Sequence, residues 1–330
     1  MLCYYFKTSY LSGDWTNVMK KLFFVLVLVG LTVSVFAQKA KSKEDLLKEM
    51  AALSATKKPE DTAKAYELGK EFLVRFGKEK DKDKDGMTAK VRTFVDEYKM
   101  SRFWDSIDAK KYAESFTMGK EILTAQPDNA DVLMNLAYAG YNSMGTARDK
   151  TYVGDALNYA KKVVLLFESG AAPKSYAPFS GKEEATAFMY FVAGNFELDT
   201  DLKASAVDIY KAVSIESSIK KSALPYYLIA NYYEDVYANL SAALKAKVDA
   251  KSINDADLKT ENGKIEKAID LMMDAYARTV KLGEAEKNPA ADQWRQRLTQ
   301  VYKFTKKTDQ GLTEYINYIN TMPLPDPAKF

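Results

Sequence analysis

Histidine is absent from this 330-residue chain, and cysteine occurs once, at Cys3. The first absence excludes hydrolase triads built on a histidine base and metal sites ligated by imidazole. The second excludes an intramolecular disulfide, a thiolate cluster and a CxxC redox pair. Arginine is scarce as well: seven residues (75, 92, 102, 148, 278, 295 and 297) among 48 basic side chains. The bidentate reading of guanine that arginine provides is therefore thinly represented. Formal net charge is only +3, and Glu and Lys are interleaved along the chain. No strong field draws such a chain to nucleic acid, and the interleaving marks solvated helix faces. The sequence contains no phosphate-binding glycine loop, nucleophile elbow or dinucleotide fingerprint.

From Met19 the text reads MKKLFFVLVLVGLTVSVFAQ. Lys20 and Lys21 make a positive start, Leu22 to Phe36 is uncharged and mostly apolar, and Val35-Phe36-Ala37 ends in a small residue. The stretch resembles a bacterial secretory signal peptide, residues 19–37, cleaved after Ala37. Its apolar run is shorter than the roughly 20 residues of a membrane-spanning helix, which argues against the alternative of a retained anchor. Residues 1–18 then read as an over-extended, unstructured start, with Met19 the initiator. No cysteine follows the apolar run, so a lipid anchor is unsupported. The expected location is periplasmic or secreted, and a chain lacking Cys3 would have no thiol in that oxidising compartment.

The remainder reads as helix after helix. Segments rich in Ala, Leu, Lys and Glu have strong helix propensity, and apolar residues recur at three and four, as in Leu46, Leu47, Met50 and Leu53. Prolines 59, 127, 173, 178, 225 and 289 sit at or near breaks or in a helix's first turn. No alternating strand pattern or Asn-Gly hairpin signal accompanies them. One theme repeats: a small residue, a second position four on, then an apolar residue three further. It runs through Ala65-Gly69-Phe72, Ser115-Gly119-Ile122, Ala156-Ala160-Val163, Ala206-Tyr210-Val213, Ala268-Met272-Ala275 and Gly311-Tyr315-Tyr318. Positions four and seven apart share a helix face, and a small residue there lets a neighbouring helix come close. A second helix type carries Leu133 to Tyr141, Phe188 to Phe196, Tyr226 to Tyr233 and Trp294 to Tyr302.

The stretch from Lys111 to Tyr141, with Gln126-Pro127-Asp128-Asn129 between its helices, resembles a tetratricopeptide repeat. The resemblance implies an all-α fold: a right-handed superhelical array of antiparallel helix pairs over 38–321, an α-solenoid of about six pairs. Residues 322–330, MPLPDPAKF, form a proline-rich extended tail that packs along the last pair or stays free. The family's regular 34-residue period is not kept, and long loops or lengthened helices must absorb the excess. Ser169 to Gly181 is one such connector, its Tyr176 and Phe179 expected to tuck against a neighbouring pair. The polar Ala246 to Lys264 stretch reads as another link.

The resemblance also implies a concave groove that holds an extended peptide or a partner helix. Met134, Asn135, Tyr138, Tyr190, Tyr227 and Asn231 are the groove candidates. Asn amides can clasp a peptide backbone, and tyrosine offers large contact area at small entropic cost. Packing between repeats is the competing role for these rings. The chemistry candidates are weaker. Asp81, Asp83, Asp85 and Gly86 match half of an EF-hand loop, but its twelfth position is Arg92 where a glutamate is needed. Glu183-Glu184 and Glu234-Asp235 are adjacent on helices and diverge, whereas acid–base work needs carboxylates facing one another. The expectation is therefore an exported interaction scaffold with a protein or peptide partner of the cell envelope, no nucleic acid, no metal, no cofactor and no catalysis. A carrier of a small ligand or glycan in an aromatic-lined pocket is the alternative, and a carboxylate-based glycan enzyme a third reading.

Overall fold

The computed structural model describes residues 41–78 and 86–330. The signal segment, the early start and the aspartates of the EF-hand-like run lie outside these residues. The described residues form helices and turns with no strand. The chain divides into two compact units, Met1–Val95 and Asp96–Phe330.

In the first unit, α1 (Lys43–Ala55) pairs with α2 (Pro59–Phe76), and α3 (Met87–Asp108) begins. Ser42 opens α1 with a capping box: its hydroxyl accepts the Asp45 N–H at 3.1 Å, and the Asp45 carboxylate accepts the Ser42 N–H at 3.3 Å. Pro59 stands at the first position of α2, where its missing N–H costs nothing. Leu46, Ala65 and Phe72 are fully buried. A β-carbon on Gly69 would lie 2.7 Å from Val95 Cγ2, so the first small-residue copy does admit a close neighbour.

The second unit carries the rest of α3 and then α4 (Tyr112–Ala125), α5 (Ala130–Ala147), α6 (Val153–Glu168), α7 (Lys182–Glu197) and α8 (Leu202–Ser214). After a short 3-10 turn come α9 (Ala223–Asp249), α10 (Asp255–Ala285), α11 (Ala291–Lys306) and α12 (Leu312–Ile319). From α4 to α11 every helix packs against its successor, and α5 also reaches α7 as α10 reaches α12. Helices α5 and α7 are apolar on nearly all sides and lie inside the packing. Their flanking helices bury a single stripe: Phe116, Gly119 and Ile122 on α4, and Ala156, Ala160, Val163 and Phe167 on α6. The small residues set the separations. A β-carbon on Gly119 would meet Leu136 Cδ1 at 2.6 Å, and one on Gly140 the Ala156 Cβ at 2.4 Å. Helix α8 joins two apolar clusters, giving Ala212 to one and Ala206, Ile209 and Val213 to the other. Each fully buried aliphatic or aromatic side chain is worth about 1.5–3 kcal/mol.

Helix ends follow a consistent chemistry. Asn129, Asp201 and Asn254 cap α5, α8 and α10 by accepting a backbone N–H three residues on. Lys110, Arg148, Lys251, Lys287 and Lys307 close helices in the left-handed region, with φ between 51° and 61°. The Ser252 N–H then reaches back to the Lys247 carbonyl at 2.9 Å, and the Asn288 N–H to the Gly283 carbonyl at 2.8 Å. A cation at this end meets the negative pole of the helix.

The irregular repeat spacing has a visible cause. Ala246 to Lys264 is not a loose link: apart from the turn at 250–254 it is helix, the outer ends of α9 and α10. These two helices form an antiparallel hairpin, tied at one end by the Ala223 N–H on the Glu286 carboxylate (3.1 Å) and near the other by Lys247 to Glu261 (3.2 Å). Among the described residues no third element covers its polar tip, so lysine and acid serve as solvated helix formers. The 169–181 connector behaves as expected, with Tyr176 on Phe167 (5.6 Å) and Phe179 on Tyr138 (5.7 Å) and Phe188 (5.1 Å). The last copy of the repeat theme fails: Gly311 precedes α12 with φ 83°, and Tyr318 is exposed. After α12 the chain runs without regular structure to Asp326 and closes in a 3-10 turn, Pro327–Lys329, seated on α8.

Candidate functional site

The six groove candidates fall into different surroundings. Met134 is fully buried on α5. Asn135, buried beside it, donates its amide to the Asp131 carbonyl one turn back, at 2.9 Å. Asn231 is half-buried on α9. Tyr138 is half-buried among Phe179 and Phe188, and the neighbouring Tyr141 packs on Phe188 at 5.3 Å and Phe191 at 5.9 Å. Tyr227 belongs to another ring group, with Trp294 at 5.3 Å and Tyr276 at 6.3 Å. These rings meet edge-on or tilted, the geometry in which aromatic pairs attract. They bridge α5 to α7 and its preceding connector, and α9 to α10 and α11, which is a packing role.

Tyr190 has a different setting. It lines an open cleft of about 320 Å³ whose walls come from α6, α7 and α8, with Val164, Leu165 and Ala193 as its apolar part. The phenol donates to the Glu168 carboxylate, and Lys211 Nζ lies 5.0 Å from the ring centroid. Desolvation, reinforced by Glu168, drives the phenol pKa far above its ordinary value of 10. Lys211 also pairs with Asp208 at 3.4 Å, and Lys161 with Glu197. Both lysines at this cleft are thus paired with an acid, whereas Glu168 accepts from the neutral Tyr190 phenol. Glu197 is buried and its Oε2 has no hydrogen-bond partner among the described residues.

In each acidic pair one carboxylate is held by another element. Glu184 accepts the N–H of Ser218 at 3.0 Å and also its hydroxyl, tying α7 to the turn after α8. Glu234 accepts from Arg297 at 2.5 Å, joining α9 to α11. The described residues hold no group of three or more acidic side chains placed to bind a metal ion. No helix among them is long and apolar enough to cross a membrane.

A third region was not among the candidates. Residues 322–330 lie in a trench whose body side includes Tyr210, Lys267, Leu271 and Arg278. Arg278, held by Asp274 at 2.7 Å on the same helix, donates to the Met322 carbonyl at 2.9 Å. Burial raises the Asp274 pKa against the opposing pull of Arg278. Phe330 meets Tyr233 edge-on at 6.1 Å, with Lys267 Nζ 5.5 Å from its centroid. Tyr233 is buried, and its hydroxyl has no hydrogen-bond partner among the described residues. One signal for this region was legible: a tail with a proline at every second position cannot be helical and needs somewhere to lie.

The geometry defines an all-helical protein in which successive helices pack as pairs. No family model matches the chain, and no curated protein does. Among solved structures it is similar to the crystal structure of MamA protein at 14% identity and a TM-score of 0.33, over 64% of this chain and 94% of that one.

Proposed function

We propose that this protein is an exported interaction scaffold: a right-handed superhelix of tetratricopeptide-like helix pairs that holds a peptide or a cell-envelope protein in a helical groove. It works by binding, with no bond made or broken. The observation that carries the reading is the run from α4 to α11, in which each helix up to α10 packs on its successor, with small residues at several of these contacts and open clefts beside them. Such an array multiplies recognition surface more than it encloses a reaction. Glu184 and Glu234, one from each acidic pair, are bound to a neighbouring turn and helix, which fits a framework. Export rests on the Met19–Ala37 signal-like segment.

The carrier reading calls for a closed cavity walled by stacked rings. The Tyr138 group fills its own space, with Phe179 and Phe188 only 5.1 Å apart, so the scaffold reading is preferred. The test is a crosslinking pull-down of the exported protein from its own cell envelope. Recovery of a discrete protein partner is expected, and mature protein beginning at Gln38. Retention of glycan with no protein partner would overturn the reading in favour of the carrier, and material still beginning at Met1 inside the cell would remove the export.

A further inference from the structure

The tail 322–330 and its trench fit each other loosely. Open clefts of about 670 and 490 Å³ flank it, each lined by tail and body together. In the segment itself only Pro327 is buried, while Leu324 and Phe330 are half-buried and Met322 and Lys329 are exposed. Its later hydrogen bonds are internal: Asp326 accepts the Ala328 N–H at 2.9 Å, and the Phe330 N–H reaches the Pro327 carbonyl at 3.2 Å. The bond from Arg278 to Met322 holds the tail at its start, well before its two ring contacts. Leu324, Pro327 and Phe330 recur at three-residue spacing. Polyproline II and 3-10 backbones both have three residues per turn, so either conformation turns all three toward the trench.

We infer that this trench is a peptide-recognition site and that the tail is its resident, displaceable occupant, an autoinhibitory segment. This rests on the scaffold reading and gives it a location and a control. The incoming partner has the chemistry of the tail it replaces: an extended, proline-interrupted segment with apolar residues at every third position and an acidic residue between them. The trench suits that charge: Lys220, Lys221, Lys267 and Arg278 line it, against two acids, Glu216 and the Asp274 that pairs with Arg278. Lys220 and Lys221 both pair with Glu216, at 2.8 and 3.2 Å, so an incoming carboxylate has a partner to take over. The Tyr233 ring meets Phe330 edge-on, so an apolar or aromatic residue of an incoming segment has a buried ring to pack on once Phe330 leaves.

Magnitudes set the test. A short tether holds its ligand at an effective concentration on the order of 1 mM. If the isolated segment binds at roughly 100 µM, tethering masks the trench about tenfold. A fluorescein-labelled peptide of residues 320–330 is titrated against the full chain, against a chain lacking 322–330, and against the full-length double variant Leu324→Ala, Phe330→Ala. The two variants are expected to bind it about tenfold more tightly than the full chain, measured by anisotropy. Adding Arg278→Gln and Lys267→Gln to the shortened chain should abolish that gain. Equal and weak binding by all three chains, with circular dichroism showing them folded, would overturn the proposal. So would loss of the folded state on removing the tail, because the segment is then core and not an occupant. An envelope partner captured equally by the full and shortened chains also overturns it, yet leaves the scaffold reading standing. Failure to capture any partner bears on the scaffold reading alone.

Discussion

Two ring-lined regions of the second unit differ in how they are filled. Around Tyr138, four further rings (Tyr141, Phe179, Phe188 and Phe191) close on one another across α5, α7 and the connector that precedes α7. Around Tyr233 the covering ring is Phe330, brought in by a tail flanked by open clefts. The difference teaches that aromatic content does not by itself mark a ligand surface. Rings held on two or more helices that are already packed together serve cohesion. A ring on a segment with one anchoring bond can be exchanged.

The largest expected effect tests the cohesive region. Phe188→Ala removes a ring shared by Tyr138, Tyr141 and Phe179. Phe-to-Ala changes in cores cost about 3–5 kcal/mol, and the partial exposure of Phe188 puts the expected loss at about 3 kcal/mol. A urea unfolding curve would show it as a lower midpoint at constant slope. A loss under about 1 kcal/mol would mean that the rings are not a packed unit and would reopen a ligand role for Tyr138.

A second, smaller effect concerns how the connector is held. The Asp131 carboxylate accepts the N–H groups of Lys174 (3.0 and 3.1 Å) and Ser175 (3.3 Å), which pins the connector carrying Phe179 to the start of α5. Hydrogen bonds to charged groups are worth about 1.5–3 kcal/mol when well shielded, and this set is exposed, so Asp131→Ala should cost about 1–2 kcal/mol. Hydrogen exchange at Lys174 and Ser175 should speed up while exchange in α9 and α10 is unchanged. Uniform change in both places would mean the connector is not an independent element.

Most of the helical architecture was legible because periodicity and small-residue stripes are local signals. Gly119 lies at near-contact with the next helix, as its spacing implies. Two things were not legible. Helix stops at Lys110, Lys251 and Lys287 look like ordinary surface lysines, because a left-handed end usually advertises itself with glycine. The outer ends of α9 and α10, Ala246 to Lys264, read as a link in the sequence because solvated helix and polar loop share a composition. The candidate site was less legible still. Asn135 sits where a groove amide could stand, yet its burial follows from α5 being enclosed on both faces. That depends on helices far along the chain, and no pattern within α5 reveals it. The trench needed the tail to be placed against α8 and α10, contacts across more than forty residues.

The next comparison is read in pH. Desolvation raises the phenol pKa of Tyr141 in the first region and of Tyr233 in the second, and Asp326 on the tail adds to the rise at Tyr233. A phenol raised in the folded state favours folding fully below its unfolded value near 10, and that stability is lost as pH rises beyond it. Alkaline unfolding should therefore steepen above pH 10. Removing 322–330 uncovers Tyr233 and takes away Asp326, so its ionisation should move down toward 10 while that of Tyr141 stays. Resolved tyrosine ring signals in an alkaline NMR titration would separate the two, and a Tyr233 that does not move would mean the tail is not its cover.

The smallest expected effect is Phe330→Ala. This ring is only half-buried, meets one ring at 6.1 Å and sits under one lysine at 5.5 Å. Burying part of an aromatic face at about 25 cal/mol per Å², on a segment that also loses freedom when it docks, leaves a net cost of about 0.5–1 kcal/mol for its removal. The thermal midpoint should therefore shift by only a few degrees, while protease cleavage after Lys329 should rise several-fold because tail opening tracks local and not global stability. The two readouts separate exchange from cohesion: a large midpoint shift with unchanged cleavage would place Phe330 with Phe188, as a ring the fold cannot spare.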